Sequence, residues 1–234
     1  APTRAMTAED KDYAQAFVVP CDADGIIHIC GRQPSDTRRL DGSQIDMGNC
    51  KYGCMESLMI FNNVFVPWDR VFLYKEYEFA GDIPNLFGAN HRATYGGCKA
   101  GMSDVLIGAV RLAAEYNGAD KFPHIRDKII DMVRLTETIY SCSLATAVEG
   151  QKTDAGSYFI DPLLANVCKM NVADLPFEMS KLAVDILGGL LGTVVSEKEL
   201  RHPEIGKYVD KYLKGIPNVP TEHKMRIINL IQNL

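Results

Sequence analysis

Residues 125–147, IRDKIIDMVRLTETIYSCSLATA, carry the clearest periodic signal in the chain. Steps of three and four residues place side chains on one face of an α-helix. The stretch therefore predicts an amphipathic helix that packs against a core. The apolar or small side chains that recur at this spacing are Ile125, Ile129, Met132, Thr136, Ile139, Ser143 and Ala147.

The helical pattern extends in both directions, from about Pro84 to the end of the sequence. Asp161-Pro162 is typical of an N-cap followed by a first-turn proline, and it predicts the start of another long helix. Pro176 is expected to kink or end that helix. Pro220-Thr221 predicts the start of a last amphipathic helix. Its apolar residues are Met225, Ile228 and Ile231.

The sequence between about Tyr13 and Leu73 has a different pattern. Its apolar runs are short and bounded by glycine and proline, which favours β-strands. The predicted strands are Phe17–Val19, Ile26–Ile29, Leu58–Phe61 and Val64–Val66. We therefore predict an α+β, mostly α fold, with a β-rich domain over residues 1–82 and a helical bundle over residues 83–234.

The composition is that of an ordinary globular protein, with 47% hydrophobic and 24% charged residues. A net charge of −5 argues against nucleic acid or a membrane surface as a partner. No apolar run approaches the ~20 residues that span a bilayer, and no signal peptide is recognised. Seven cysteines without a disulfide-framework spacing are typical of the cytoplasm. Because the first residue is Ala1, we expect a processed or truncated chain.

The segment His91 to Lys99, HRATYGGCK, combines an imidazole, a phenol, a thiol and an amine. On a continuous helix His91, Tyr95 and Cys98 would face one way. Seven residues of helix rise about 10 Å, too far for both end residues to bind one small ion. Two arrangements remain open: an iron–sulfur cluster bridges the gap, or Gly96-Gly97 breaks the helix.

This segment closely resembles the metal-binding helix of the 4-hydroxybutyryl-CoA dehydratases, flavin and iron–sulfur enzymes of anaerobic bacteria. Much of the resemblance is shared with flavin-dependent 4-hydroxyphenylacetate hydroxylases, whereas His91, Tyr95, Cys98 and Lys99 favour the dehydratases. It covers nearly the whole chain, including Gly31-Arg32-Gln33, Asp36-Thr37-Arg38, Phe61 to Pro67, Tyr77 to Gly81, Glu115 to Ala119, Leu163 to Lys169 and Asp185 to Gly189.

The resemblance implies an acyl-CoA dehydrogenase-like fold, of which this chain would hold the later part of a β-barrel domain and most of the helical bundle. It also implies FAD and a [4Fe-4S] cluster as cofactors, and a homo-oligomer, a tetramer in the family. Half of the family's sequence would then be absent here or would form a separate N-terminal half. We therefore expect this chain to be inactive in isolation.

Roles for individual residues follow from the same resemblance. His91 and Cys98 would bind cluster iron, and His91 would also remove the C2 proton of the acyl-CoA. Glu56 and Tyr95 would orient the substrate hydroxyl, with partial burial raising the pKa of Glu56. Lys99 would contact the flavin, and the segment with Asp185, Gly188 and Gly189 would approach FAD.

Two further groups have weaker support. Cys50 and Cys54 match no known ligand position in the family, so we interpret them as ordinary thiols near a turn. Arg32, Arg38 and Arg39 form a basic loop that is suited to phosphate or to a subunit contact, and the sequence favours a solvated loop.

The reaction that the resemblance implies is loss of water from 4-hydroxybutyryl-CoA to give crotonyl-CoA, together with vinylacetyl-CoA isomerisation. One alternative is the oxygenase component of a flavin-dependent aromatic hydroxylase, which would need no iron. Another is a non-catalytic helical fragment or assembly subunit. Iron, sulfide and flavin content separate the three hypotheses.

Overall fold

The computed structural model describes residues 5–31, 42–46 and 56–234. Three long helices dominate it: α1 (Asp82–Tyr116), α2 (Pro123–Val148) and α3 (Pro162–Ile186). Each of them contacts the other two, which gives a three-helix bundle. Three shorter helices follow: α4 (Glu197–Leu200), α5 (Gly206–Leu213) and α6 (Thr221–Asn233).

The start of α3 confirms the predicted cap. The Asp161 carboxylate accepts a hydrogen bond of 2.7 Å from the Leu164 backbone N–H, and Pro162 occupies the first turn. The expectation that Pro176 could end this helix is wrong, because α3 runs through it to Ile186. Its neighbours Leu175 and Met179 are 3% and 2% exposed, so packing on the core stabilises the helix against the proline.

The core lies between the three long helices and α6. Met132, Cys168 and Val110 are completely buried there. Ile125, Thr136 and Ile139 are also buried, as their spacing predicts. In the last turn of α2 the spacing fails: Ala147 is exposed and Thr146 is buried. Met225, Ile228 and Ile231 of α6 are buried, which confirms the predicted face of the last helix.

The β-structure consists of three two-stranded antiparallel sheets in the described residues. The sheets pair β1 (Gln15–Phe17) with β4 (Val71–Tyr74), β2 (Ile26–Cys30) with β3 (Ser57–Phe61), and β5 (Gln151–Lys152) with β6 (Tyr158–Phe159). A closed barrel is not seen in this part of the chain, so the α+β, mostly α class is confirmed but the barrel is not.

The predicted strand at Val64–Val66 is wrong. These residues are irregular, and they lie between Asn63, whose φ is 54°, and Pro67. A left-handed residue turns the chain out of an extended path, and a proline cannot donate a backbone hydrogen bond to a sheet.

No helix of the described segments is long and apolar enough to cross a membrane.

A short segment between β2 and β3 is anchored on the helical part of the molecule. One Glu197 oxygen accepts hydrogen bonds from Ser43 Oγ at 3.0 Å, from Gln44 N at 2.6 Å and from Ile45 N at 3.2 Å. Burial alone would raise the pKa of the Glu197 carboxyl, but these hydrogen bonds hold the pKa below its ordinary value. The β-rich part is thereby tied to α4.

Candidate functional site

The segment from His91 to Lys99 lies within an unbroken helix, α1, which extends for 35 residues. Of the two arrangements that the sequence left open, the structure therefore has the continuous helix. His91, Tyr95 and Cys98 share one face, within roughly 60° around the helix axis. The side chains of His91 and Cys98 are exposed, and that of Tyr95 is half-buried.

Close packing between helices, rather than a helix break, explains the first of the two glycines, Gly96. A Cβ atom at this position would lie 2.2 Å from Ser143 Cβ and 2.9 Å from Cys168 Sγ. Ser143 Oγ also donates a hydrogen bond of 2.7 Å to the Ala93 carbonyl. The helix α1 can approach α2 and α3 this closely only because Gly96 has no side chain.

The His91 imidazole lies between two aromatic rings on the same helix. Phe87 stacks on it with a centroid distance of 5.7 Å, and the Tyr95 ring meets it edge-on at 4.7 Å. The Tyr95 hydroxyl lies 3.1 Å from His91 Nε2, within hydrogen-bond distance. His91 and Tyr95 therefore form one contacting unit.

One side chain of α3 reaches this unit and a second contacts α1 beside it, and the sequence interpretation gave neither of them a role. The Lys169 ammonium lies over the Tyr95 ring, 4.6 Å from its centroid. Next to it, Arg92 Nη1 donates a hydrogen bond of 2.9 Å to Asn166 Oδ1. Both residues of α3 fall in the segment Leu163 to Lys169 that carries the resemblance. Only the packing of α3 on α1 shows which of them meets Tyr95.

The fit of this face to a [4Fe-4S] cluster is partial. Cys98 offers a thiol and His91 an imidazole, both open to solvent and both suitable for iron. A cluster normally has four protein ligands. Within the described segments no group of three His, Cys, Asp or Glu side chains could hold a metal ion. The helix thus supplies half a ligand set.

Lys99 is turned away from the His91 face, toward α3 and α6. Its ammonium lies 3.7 Å from Met102 Sδ. It lines a mostly apolar groove of about 320 Å³ together with Met179, Val184, Leu191 and Ile231. Val184 and Leu191 flank the glycine pair in sequence, so the groove connects Lys99 with the segment that was predicted to approach FAD.

The glycine pair after α3 has a structural explanation. Gly188 and Gly189 have φ values of 62° and 82°, which favour glycine, and they end the helix. Nothing lies within 4 Å of a Cβ atom built at either residue, so their backbone is open to a ligand. Asp185 pairs with the Lys128 ammonium at 2.6 Å. A cofactor role for these residues stays a prediction.

Glu56 precedes β3, and its backbone carbonyl accepts a hydrogen bond of 2.8 Å from the Gly31 N–H. The side chain is exposed and makes no hydrogen bond or ion pair within the described residues. The partial burial that we expected for Glu56 is therefore not present. Cys50, Cys54, Arg32, Arg38 and Arg39 lie outside the described residues.

Comparison with known families gives two matches that together cover most of the chain. The C-terminal region of 4-hydroxyphenylacetate 3-hydroxylase matches residues 80–234, and its N-terminal region matches residues 1–73. The 4-hydroxybutyryl-CoA dehydratase/vinylacetyl-CoA-Δ-isomerase of Clostridium aminobutyricum is 48% identical over 100% of this chain and 49% of its own length. The chain spans about half the length of the curated relatives that it matches.

Solved structures agree with these matches. An oxygen-tolerant archaeal 4-hydroxybutyryl-CoA dehydratase from N. maritimus superimposes with a TM-score of 0.93 and 49% identity, covering 99% of this chain and 46% of the other. The oxygenase component of 4-hydroxyphenylacetate 3-monooxygenase, solved with FAD, gives a TM-score of 0.78 at 22% identity, covering 98% of this chain and 48% of the other. The second likeness shows the fold alone.

Proposed function

Because this chain belongs to the 4-hydroxyphenylacetate 3-hydroxylase family, we propose that it is part of a 4-hydroxybutyryl-CoA dehydratase with vinylacetyl-CoA Δ-isomerase activity. The observation that carries the proposal is the exposed face of α1, where an imidazole, a phenol and a thiol follow one another at one-turn spacing. The identity of 48% with the clostridial dehydratase supports it.

In this proposal the residues of α1 act on an acyl-CoA from which water is lost. Neutral His91 takes the proton from C2, since its lone pair suits a general base. The Tyr95 hydroxyl, next to the imidazole, orients the hydroxyl that leaves. Glu56 shares this role, with a side chain that is exposed in this structure.

We assign the cofactors to the same residues. Cys98 and His91 would hold a [4Fe-4S] cluster, with further ligands from outside the described residues. Lys99 would place a cation beside FAD. Gly188 and Gly189 would offer FAD their open backbone, and Asp185, in the last turn of α3, would lie beside the cofactor. When bound, these groups would supply a Lewis-acidic iron and reversible one-electron transfer.

The domain and assembly predictions belong to the same proposal. A division into residues 1–82 and 83–234 is supported by the gap between the two family matches, after residue 73 and before residue 80, and by the start of α1 at Asp82. The complete protein would be a cytoplasmic homo-oligomer, a tetramer as in the family. Nucleic acid and membrane are not proposed as partners.

The competing proposal is the oxygenase component of a flavin-dependent aromatic hydroxylase, favoured by the shared fold. The complete protein containing this chain, purified anaerobically, distinguishes the two. We expect iron and acid-labile sulfide in equal amounts, bound flavin, and crotonyl-CoA formed from 4-hydroxybutyryl-CoA. Flavin without iron, together with oxygen-dependent hydroxylation of a phenol, would replace our proposal by the competing one.

A further inference from the structure

Lys169 makes a contact that the proposed roles leave unused. Its ammonium lies over the Tyr95 ring at 4.6 Å, and the Tyr95 hydroxyl in turn lies 3.1 Å from His91 Nε2. Within the described residues the ammonium of the half-buried Lys169 has the Tyr95 ring as its partner and makes no hydrogen bond or ion pair. The three side chains form a chain from α3 to the imidazole.

The chemistry of this arrangement is directional. A cation over the face of a phenol draws electron density from the ring and makes its O–H a stronger hydrogen-bond donor. Of the two tautomers of the neutral imidazole, a stronger donor at 3.1 Å from Nε2 favours the one whose proton is on Nδ1. In that tautomer the lone pair is on Nε2, which is the form of nitrogen that can bind a metal or accept a proton.

We propose that Lys169 is a positioning residue for His91: through the Tyr95 ring it keeps the Nε2 lone pair of the neutral imidazole available. Tyr95 holds this nitrogen until another partner takes its place. The proposal rests on the proposed function in that His91 needs this lone pair as a base or ligand. The contact geometry itself does not depend on the reaction.

The neighbouring contact provides a matched control. The side chains of Arg92 and Asn166 also link α1 to α3 through one polar contact, at 2.9 Å, and this contact involves neither the Tyr95 nor the His91 side chain. Replacing Asn166 by Ala therefore removes a contact of similar size next to the unit. Lys169→Met removes the charge and keeps much of the side-chain length, and Lys169→Arg keeps the charge.

The test measures the tautomer of His91 in the chain itself. Ring ¹⁵N signals of labelled histidine are recorded at one fixed alkaline pH, and His91 is assigned from a His91→Asn variant. We expect Tyr95→Phe and Lys169→Met to lower the ratio of the Nδ1–H to the Nε2–H tautomer, roughly threefold for Lys169→Met. Lys169→Arg and Asn166→Ala should keep the original ratio.

Several results would overturn the proposal: an unchanged ratio in Lys169→Met or in Tyr95→Phe, an equal loss in Asn166→Ala, or no retention in Lys169→Arg. Circular dichroism of each variant checks the fold, and Lys169→Gln replaces Lys169→Met if that variant is unfolded. Because this readout needs no cluster, flavin or substrate, its failure is distinct from a failure of the dehydratase proposal, which iron and sulfide content tests.

Discussion

Replacing Gly96 by alanine tests how α1 is held against its neighbours. The added Cβ would lie 2.2 Å from Ser143 Cβ, 2.8 Å from Ser143 Oγ and 2.9 Å from Cys168 Sγ. Such distances are too short for real contacts, so Ser143 and α1 must shift. A shift of Ser143 also weakens its hydrogen bond of 2.7 Å to the Ala93 carbonyl.

The expected magnitude combines three effects. Overpacking a core costs about 1–3 kcal/mol, and a weakened hydrogen bond costs about 1 kcal/mol. Against these, alanine in a helix interior is favoured over glycine by about 1 kcal/mol. We therefore expect Gly96→Ala to lower the free energy of unfolding by about 1–3 kcal/mol.

Gly97 is the control, because it lies on the same helix with nothing within 4 Å of a built Cβ atom. Gly97→Ala keeps the helix-propensity gain and adds no clash, so it should stabilise the protein by about 0.5–1 kcal/mol. Urea and thermal unfolding of both variants measure the difference, which we expect to be about 3 kcal/mol or about 6–12 °C. If Gly96→Ala proved as stable as Gly97→Ala, the close approach of α1 to α2 and α3 would be refuted.

Four other predictions concern the thiols, the imidazole and reconstitution with cofactors. In the complete enzyme Cys98→Ser should remove cluster iron, since serine replaces a soft thiolate; unchanged iron and sulfide would contradict the assignment. His91→Ala should reduce turnover more than cluster content, and near-normal exchange of the C2 proton with solvent in this variant would disprove the base. Burial, reinforced by nearby Cys142, raises the pKa of the Cys168 thiol from 9.0 to about 11. The folded protein therefore keeps this proton at pH values where the unfolded chain has lost it, so the free energy of unfolding should fall between pH 9.0 and about 11. The Cys168→Ala variant should show a smaller slope over the same range. Anaerobic reconstitution of this chain alone with iron, sulfide and FAD should give no crotonyl-CoA; activity would promote Cys50 and Cys54 to ligands.

The periodicity of the sequence was sufficient to predict which helix faces are buried in the bundle, because the buried face of a helix follows from the local spacing of its apolar residues. Met132, Thr136 and Ile139 are buried where steps of three and four residues put them. The cap at Asp161 is equally local, since its partner is only three residues away. Predictions of this kind depend on residues within one or two turns, and sequence order alone supplies that information.

Features that depend on a neighbouring element were not predictable in this way. Pro176 is a helix breaker by its local chemistry, yet α3 continues because Leu175 and Met179 are held in the core. A break at Gly96-Gly97 stayed open for the same reason, whereas Gly96 lies against Ser143 on another helix. The sequence gave Lys169 no role, because its contact with Tyr95 depends on how α3 packs on α1.

The exposure of the His91 face bears on how a complete site would be built. His91 and Cys98 are held in place by α1 itself, and α1 is fixed by Gly96, so this half of the site is preorganised. In the proposed dehydratase, the groups that complete the cluster would have to cover this exposed face, because exclusion of water strengthens the electrostatics of catalysis. A group that adds the missing ligands would therefore also shield His91 and Cys98 from solvent.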